Sequence, residues 1–294
     1  WENESDAAAF LEDRITGHGV DVHPQDYQVL YPEWSGYRVE ADGTEIECLP
    51  CGFESGEIGK TVVDSLTVDE RVFDEANINF NPRCEGISVA SFYDAPAVAV
   101  SKQDIGTVLA ADDVHGELTM SWERYGSRNL LVGNREDPDL VVFTHYDSFW
   151  GGFLDNALSV AVLVELLQDI DLSRTLVVFA GSEEVSQQDP YWCYGYRQFE
   201  TRYSDVLEQC SAVVVADGMG RGPVQVRDER WLLEKALVLD NPEAVWPKTE
   251  LLTSGFEALM PVYHTPVDTP DKATHVEDAI TTTRQHLAEW RARP

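Results

Sequence analysis

Apolar and polar positions alternate in two different textures along this chain. Beyond residue 128, uninterrupted apolar runs stand between helical stretches: Leu140 to Phe143, Leu176 to Phe179 and Ala212 to Val215 each read as a strand buried on both faces. Between the first two, Asn156 to Ile170 is apolar almost all round, with Ala157, Leu158, Val160, Ala161, Leu163, Val164, Leu166 and Leu167, and predicts a buried helix. A last helix is predicted from about Val276 to Trp290. Strands alternating with helices predict an α/β fold: a mostly parallel, mixed sheet flanked by helices.

The first half reads differently. Residues from about Ser5 to Thr16 predict a short amphipathic helix with Phe10, Leu11 and Ile15 on one side, closed by Gly17 and Gly19. From about Asp42 to Leu118, short apolar runs such as Ile87 to Ala90 and Ala97 to Val100 are broken by Gly, Pro and Asn, the texture of a small β-rich module. The expected organisation is therefore 1–41 as the opening part of the main domain, 42–118 as an inserted β-rich domain, and 119–294 as the catalytic domain. No internal repeat or low-complexity tract is evident, and no apolar run reaches the roughly 20 residues of a membrane helix.

Composition adds an environment to this picture. The 294 residues carry 53 Asp and Glu against 21 Lys and Arg, a net charge of −32. Such a field repels nucleic acid and anionic membranes, and no basic stripe offsets it. The cations are 16 Arg and only 5 Lys. An acid-rich, lysine-poor chain fits a salt-adapted, haloarchaeal-type proteome, because concentrated salt screens the acidic shell to a Debye length of about 3 Å near 1 M. The expected location is a high-salt cytoplasm, or outside the cell if a leader once preceded Trp1. Five cysteines, Cys48, Cys51, Cys84, Cys193 and Cys210, imply no disulfide framework. Cys48 and Cys51 form a C-x-x-C without a second ligand pair at zinc-finger spacing, so structural thiols are expected, with a redox or metal pair as the alternative.

Candidate chemistry collects just after the apolar strands or their near equivalents: Thr144-His145-Tyr146-Asp147, Gly181-Ser182-Glu183-Glu184, Asp217-Gly218 and Tyr263-His264-Thr265. In open α/β sheets the ligand crevice lies beyond the carboxyl ends of the strands, so such groups converge although far apart in sequence. Each taken alone has a plain structural reading: a satisfied histidine, a solvated Glu-Glu turn, a packed tyrosine. Imidazole mixed with carboxylate suits a catalytic zinc site, and a nearby Glu could take a proton from water. A serine hydrolase would need a G-x-S-x-G elbow, and the chain has none.

The stretches THYDSFWGGFLDN, GSEE, VVVADGMG and YHTPVDTPD, in that order, resemble the co-catalytic zinc exopeptidases of clan MH, which include bacterial leucyl aminopeptidases and glutamate carboxypeptidases. The resemblance covers roughly residues 123 to 294 and the first forty. It implies a zinc-peptidase fold (phosphorylase/hydrolase-like) and a peptide substrate. It also implies two Zn2+ ions, with Co2+ or Mn2+ as substitutes. His145 and Asp217 would hold one ion, Glu184 and His264 the other, and Asp155 would bridge them. Glu183 would be the general base, Asp147 would orient His145, and Tyr263 would donate to the tetrahedral oxyanion. The 42–118 module looks like a protease-associated insertion. The ten-residue step from His145 to Asp155, and Tyr263 before the last ligand, resemble the carboxypeptidase branch. Two features depart from the family: only 47 positions separate Asp217 from His264, and Thr253-Ser254-Gly255-Phe256 replaces the usual Ser-Asp-His segment. An aminopeptidase is the leading expectation. A carboxypeptidase of the glutamate type, glutaminyl-cyclase-like acyl transfer on one zinc, and a metal-free receptor-like binding module are the alternatives.

Overall fold

A computed structural model describes residues 2–66, 74–84 and 86–291. The strands are β1 (Val22–Ala41), β2 (Thr44–Ile46), β3 (Cys48–Pro50), β4 (Gly56–Ile58), β5 (Val62–Asp64), β6 (Asn77–Phe80), β7 (Ala97–Val100), β8 (Val114–Gly133), β9 (Leu140–His145), β10 (Thr175–Ala180), β11 (Ala212–Ala216), β12 (Gln225–Arg227) and β13 (Thr249–Thr253). The chain divides into two compact units, one of Trp1–Tyr31, Arg124–Leu259 and Thr269–Pro294, the other of Pro32–Glu123 and Met260–Asp268. The module expected at 42–118 falls inside the second.

In the first unit the sheet order is β12-β13-β11-β9-β10, continued by the parts of β8 and β1 that belong to it. β13, β11, β9 and β10 run parallel, whereas β12 and β8 are antiparallel to their neighbours. The expected mixed α/β sheet is therefore present. Every residue of β9, β10 and β11 is buried. The sequence reason is that helices cover both faces, so neither set of alternating side chains meets water. On one face Phe143 packs against Tyr196 and Phe199 of the helix Tyr194–Gln209, with ring centroids 5.0 and 5.3 Å apart. The helices Leu158–Leu166 and Val276–Arg291 pack against each other. The predicted helix from Asn156 thus begins later, because Phe153–Ala157 forms a wider π-type turn first.

The N-terminal helix runs over Glu2–Gly17 and buries Ala8, Leu11 and Ile15. Phe10 departs from the expectation: it is 68% exposed, because it sits about 100° round the helix from Leu11. Gly19, at φ +76°, closes the helix with its N–H on the Thr16 carbonyl.

The second unit holds a four-stranded sheet, β3-β7-β6-β5, and the pairings of β1 with β2 and of β4 with β8. Val39, Ile58, Ile78, Val98, Val108 and Leu118 form its core. All five cysteines are free thiols. Burial pushes Cys51 up to about 12, and the Asn79 amide donates to its sulfur at 3.1 Å. No described helix is long and apolar enough to cross a membrane.

Candidate metal centre

Three of the predicted residues meet at the carboxyl ends of adjacent parallel strands. His145 is the last residue of β9 and pairs in register with Ala180 at the end of β10; Asp217 follows β11 directly. Neighbouring strands lie about 4.8 Å apart, so side chains leaving their ends reach one another. Asp155 arrives from the turn Phe153–Ala157, at φ −125° and ψ 80° next to a cis bond to Asn156.

Asn156 is what places that turn. Its fully buried amide nitrogen donates to Thr144 Oγ1 at 3.0 Å and to the Ala216 carbonyl at 3.1 Å, and its oxygen accepts the Gly218 N–H at 3.3 Å. One side chain therefore ties Asp155 to the ends of both β9 and β11. It stood within the motif read from the sequence, but nothing in its spacing indicated that role.

The resulting geometry is compact. His145 Nε2 lies 3.5 Å from Asp155 Oδ1 and 3.6 Å from Asp217 Oδ1, and one donor atom from each of the three residues falls within 4.8 Å of the others. Four tetrahedral bonds of about 2.1 Å would space ligand atoms about 3.4 Å apart. Among the described residues no donor lies within hydrogen-bond distance of the buried Asp217 Oδ1, the His145 ring standing just outside it. Spacing, donor types and this buried oxygen fit a divalent cation. Asp155 also has a carboxylate oxygen within 4.8 Å of one on Glu184.

Surrounding contacts fix the ligands. His145 Nδ1 is 3.0 Å from the Asp147 carbonyl oxygen and 3.5 Å from its carboxylate. The ring is therefore oriented first by the backbone of Asp147. The Asp147 carboxylate does another task, accepting the Glu184 N–H at 3.0 Å. Glu183, predicted as the base, is buried with Oε2 4.0 Å from His145 Nε2. Burial raises its carboxyl to about 8; His145 opposes the rise, and Glu184, Asp217 and Asp147 add to it. Burial pushes the His145 ring down, but Glu183 and the neighbouring carboxylates of Asp147, Asp155 and Asp217 outweigh it and hold the ring well above its ordinary value. Several acids around one imidazole leave the pocket short of positive charge, which a cation supplies.

Tyr263 and His264 belong to the second unit. There the two rings stack with centroids 3.7 Å apart, and His264 Nδ1 is 2.8 Å from the Val89 carbonyl oxygen. The carbonyl can only accept, so the ring's proton sits on Nδ1 and its lone pair on Nε2.

Residues 129–237 match the model of peptidase family M28. His145, Asp155, Glu183, Glu184 and Asp217 all lie inside that matching stretch; Tyr263 and His264 lie outside it. No curated protein matches the chain in sequence. Among solved structures, BSAP, a zinc aminopeptidase from Bacillus subtilis, superposes with a TM-score of 0.66 at 16% identity, over 97% of this chain and 87% of that one. A peptidase M28 precursor from Shewanella amazonensis gives 0.67 at 16% over 99% and 88%. An aminopeptidase from Aneurinibacillus sp. strain AM-1 gives 0.62 at 15% over 100% and 90%. At these identities the likeness is one of fold.

Proposed function

We propose that this protein is a metal-dependent exopeptidase, acting as an aminopeptidase on two divalent ions, zinc by preference. The observation that carries the proposal is the spacing of His145 Nε2 from Asp155 and Asp217, at 3.5 and 3.6 Å, inside the segment that matches M28. His145 and Asp217 would hold one ion, with Asp155 shared, and Glu184 would serve the second. His264 is proposed as a ligand on its motif and on its ring being fixed through Nδ1. Bound cations would polarise the substrate carbonyl and bring the pKa of a water towards about 7. Glu183 would take the proton of that water and pass it to the leaving amine. Asp147 keeps His145 in its tautomer through the backbone and anchors the Glu184 backbone through its carboxylate. Tyr263 is proposed as donor to the oxyanion.

A carboxypeptidase is the second reading, favoured by the ten-residue step from His145 to Asp155. A panel of aminoacyl p-nitroanilides, free dipeptides and N-blocked dipeptides, run in multimolar KCl with zinc, separates the two. Expected are about two metal ions per chain and release of amino-terminal residues. Glu183→Gln should keep the metal and lose roughly 100- to 10,000-fold in kcat, and His264→Ala should lose one ion. Less than one ion per chain with no hydrolysis would leave a binding module instead.

A further inference from the structure

The chain between Glu184 and the helix Tyr194–Gln209 makes an excursion whose ends return to the Ser182–Glu183 turn. Arg197, on the first turns of that helix and 2% exposed, gathers the excursion by its guanidinium. Nη1 donates to the Asp189 carbonyl at 3.1 Å; Nη2 donates to those of Pro190 at 2.6 Å, Trp192 at 3.1 Å and Gln188 at 3.3 Å. At the return point the Cys193 N–H donates to the Glu183 carbonyl at 2.5 Å and the Gly195 N–H to that of Ser182 at 3.3 Å. Cys193 itself takes a left-handed backbone, at φ +60°.

This closure sets a side-chain contact. Cys193 Sγ lies 3.0 Å from Glu183 Oε1, whereas the Lys235 carbonyl is 3.9 Å away. The thiol is the donor, and in the ionised form that a general base requires Glu183 can only accept. The second Glu183 oxygen, Oε2, is the one 4.0 Å from His145 Nε2. The two oxygens are thus divided between a fully buried thiol and the cluster of ligands.

We propose that Cys193 is a positioning residue for Glu183: its S–H holds Oε1 and so reserves Oε2 for proton transfer on the His145 side. This rests on Glu183 being the base. The alternative is a cysteine that merely fills space, for which any side chain of similar volume would serve.

The test compares Cys193→Ser, Cys193→Ala and Cys193→Val in the metal-loaded full chain. One hydrogen bond to a charged group corresponds to roughly a 10- to 100-fold change in rate. Ala and Val should lose that much in kcat with KM and metal content near wild type, and Ser, which keeps a donor, should recover most of it. A readout independent of turnover is the infrared S–H stretching band of Cys193, isolated as wild type minus Cys193→Ser. In Glu183→Gln that band should shift, because the acceptor changes from carboxylate to amide. Wild-type kcat in Cys193→Val, or a Cys193 band that is the same in wild type and Glu183→Gln, overturns the proposal. If Ala and Val fail to fold, the band and the Ser variant decide it. Loss of rate in Glu183→Gln but not in Cys193→Val sinks the positioning role alone, whereas full activity in Glu183→Gln sinks the reading of the base.

Discussion

Glu4, on the first turn of the N-terminal helix, places a carboxyl group that is 8% exposed among hydroxyls beneath the Gly181–Ser182 turn. Tyr31 and Ser127 donate to its two oxygens; Ser182 Oγ lies 2.5 Å from the Tyr31 hydroxyl and 2.8 Å from Ser127 Oγ, and the Tyr27 hydroxyl donates to the Gly181 carbonyl at 2.8 Å. Burial, with Asp147 adding to it, raises the Glu4 carboxyl from 4.5 to about 7. The native state therefore binds more protons than the unfolded chain between those pH values. Stability supplied by the neutral acid is complete below pH 4.5 and is lost as pH rises through about 7. The loss amounts to about 3 kcal/mol. Glu4→Gln should remove this slope, so that the variant gains on wild type between pH 5 and 8. Denaturant unfolding of both proteins with metal present measures it, and a stability difference that stays constant across that range would refute the assignment. A single Glu in a polar stretch carries no sign of such burial. His145, Glu184 and Asp217 stood out as candidates because each closes or stands just after an apolar run, whereas Asp155, near the end of THYDSFWGGFLDN, came only with the resemblance. Cys193 read only as one of five structural thiols, since its contact depends on a loop stitched together by Arg197.

At the level of elements, strands buried on both faces were the easiest to read, because LVVF and AVVV leave no polar face to present to water. Ile87 to Ala90 is the instructive contrast. It is apolar enough for a strand, yet it takes no regular structure. Its backbone partners come from the segment around His264: Val89 N–H bonds to the His264 carbonyl at 3.3 Å, and Ser88 Oγ donates to that of Tyr263 at 2.6 Å. A partner 175 positions away leaves no trace in local periodicity. The helix Tyr194–Gln209 meets the Gly181 turn with similar economy. A Cβ on Gly195 would stand 2.0 Å from the Gly181 carbonyl oxygen and 2.9 Å from the Tyr27 hydroxyl. Gly195→Ala should therefore destabilise by about 1–3 kcal/mol, although alanine is the better helix former by about 1 kcal/mol. Gly106, in the helix Ile105–Ala110, has open space around it, and Gly106→Ala there should be neutral or slightly stabilising. Equal effects of the two substitutions in thermal melts would remove the packing argument.

Over the whole molecule the balance of charge governs behaviour in salt. Many of the cations are already spoken for on the surface: Arg38 by Glu40 and Glu117, Arg128 by Asp26 and Glu12, Arg230 by Glu234 and Glu243, Arg284 by Asp169. Exposed pairs of this kind contribute at most about 1 kcal/mol each, so little is lost when salt screens them. The remaining excess of 32 negative charges repels itself over distances that a Debye length of about 10 Å at 0.1 M leaves largely unscreened. Relief of repulsion should therefore outweigh the weakening of pairs, and the melting temperature should climb from 0.1 M to multimolar KCl, by about 2–4 °C for each kcal/mol relieved. Sucrose also favours the compact state, by exclusion from the surface, but it does not screen charge. A rise in KCl that sucrose fails to reproduce assigns the effect to charge, whereas a melting temperature that is flat or falling in KCl would mean that the acidic shell is no adaptation to salt.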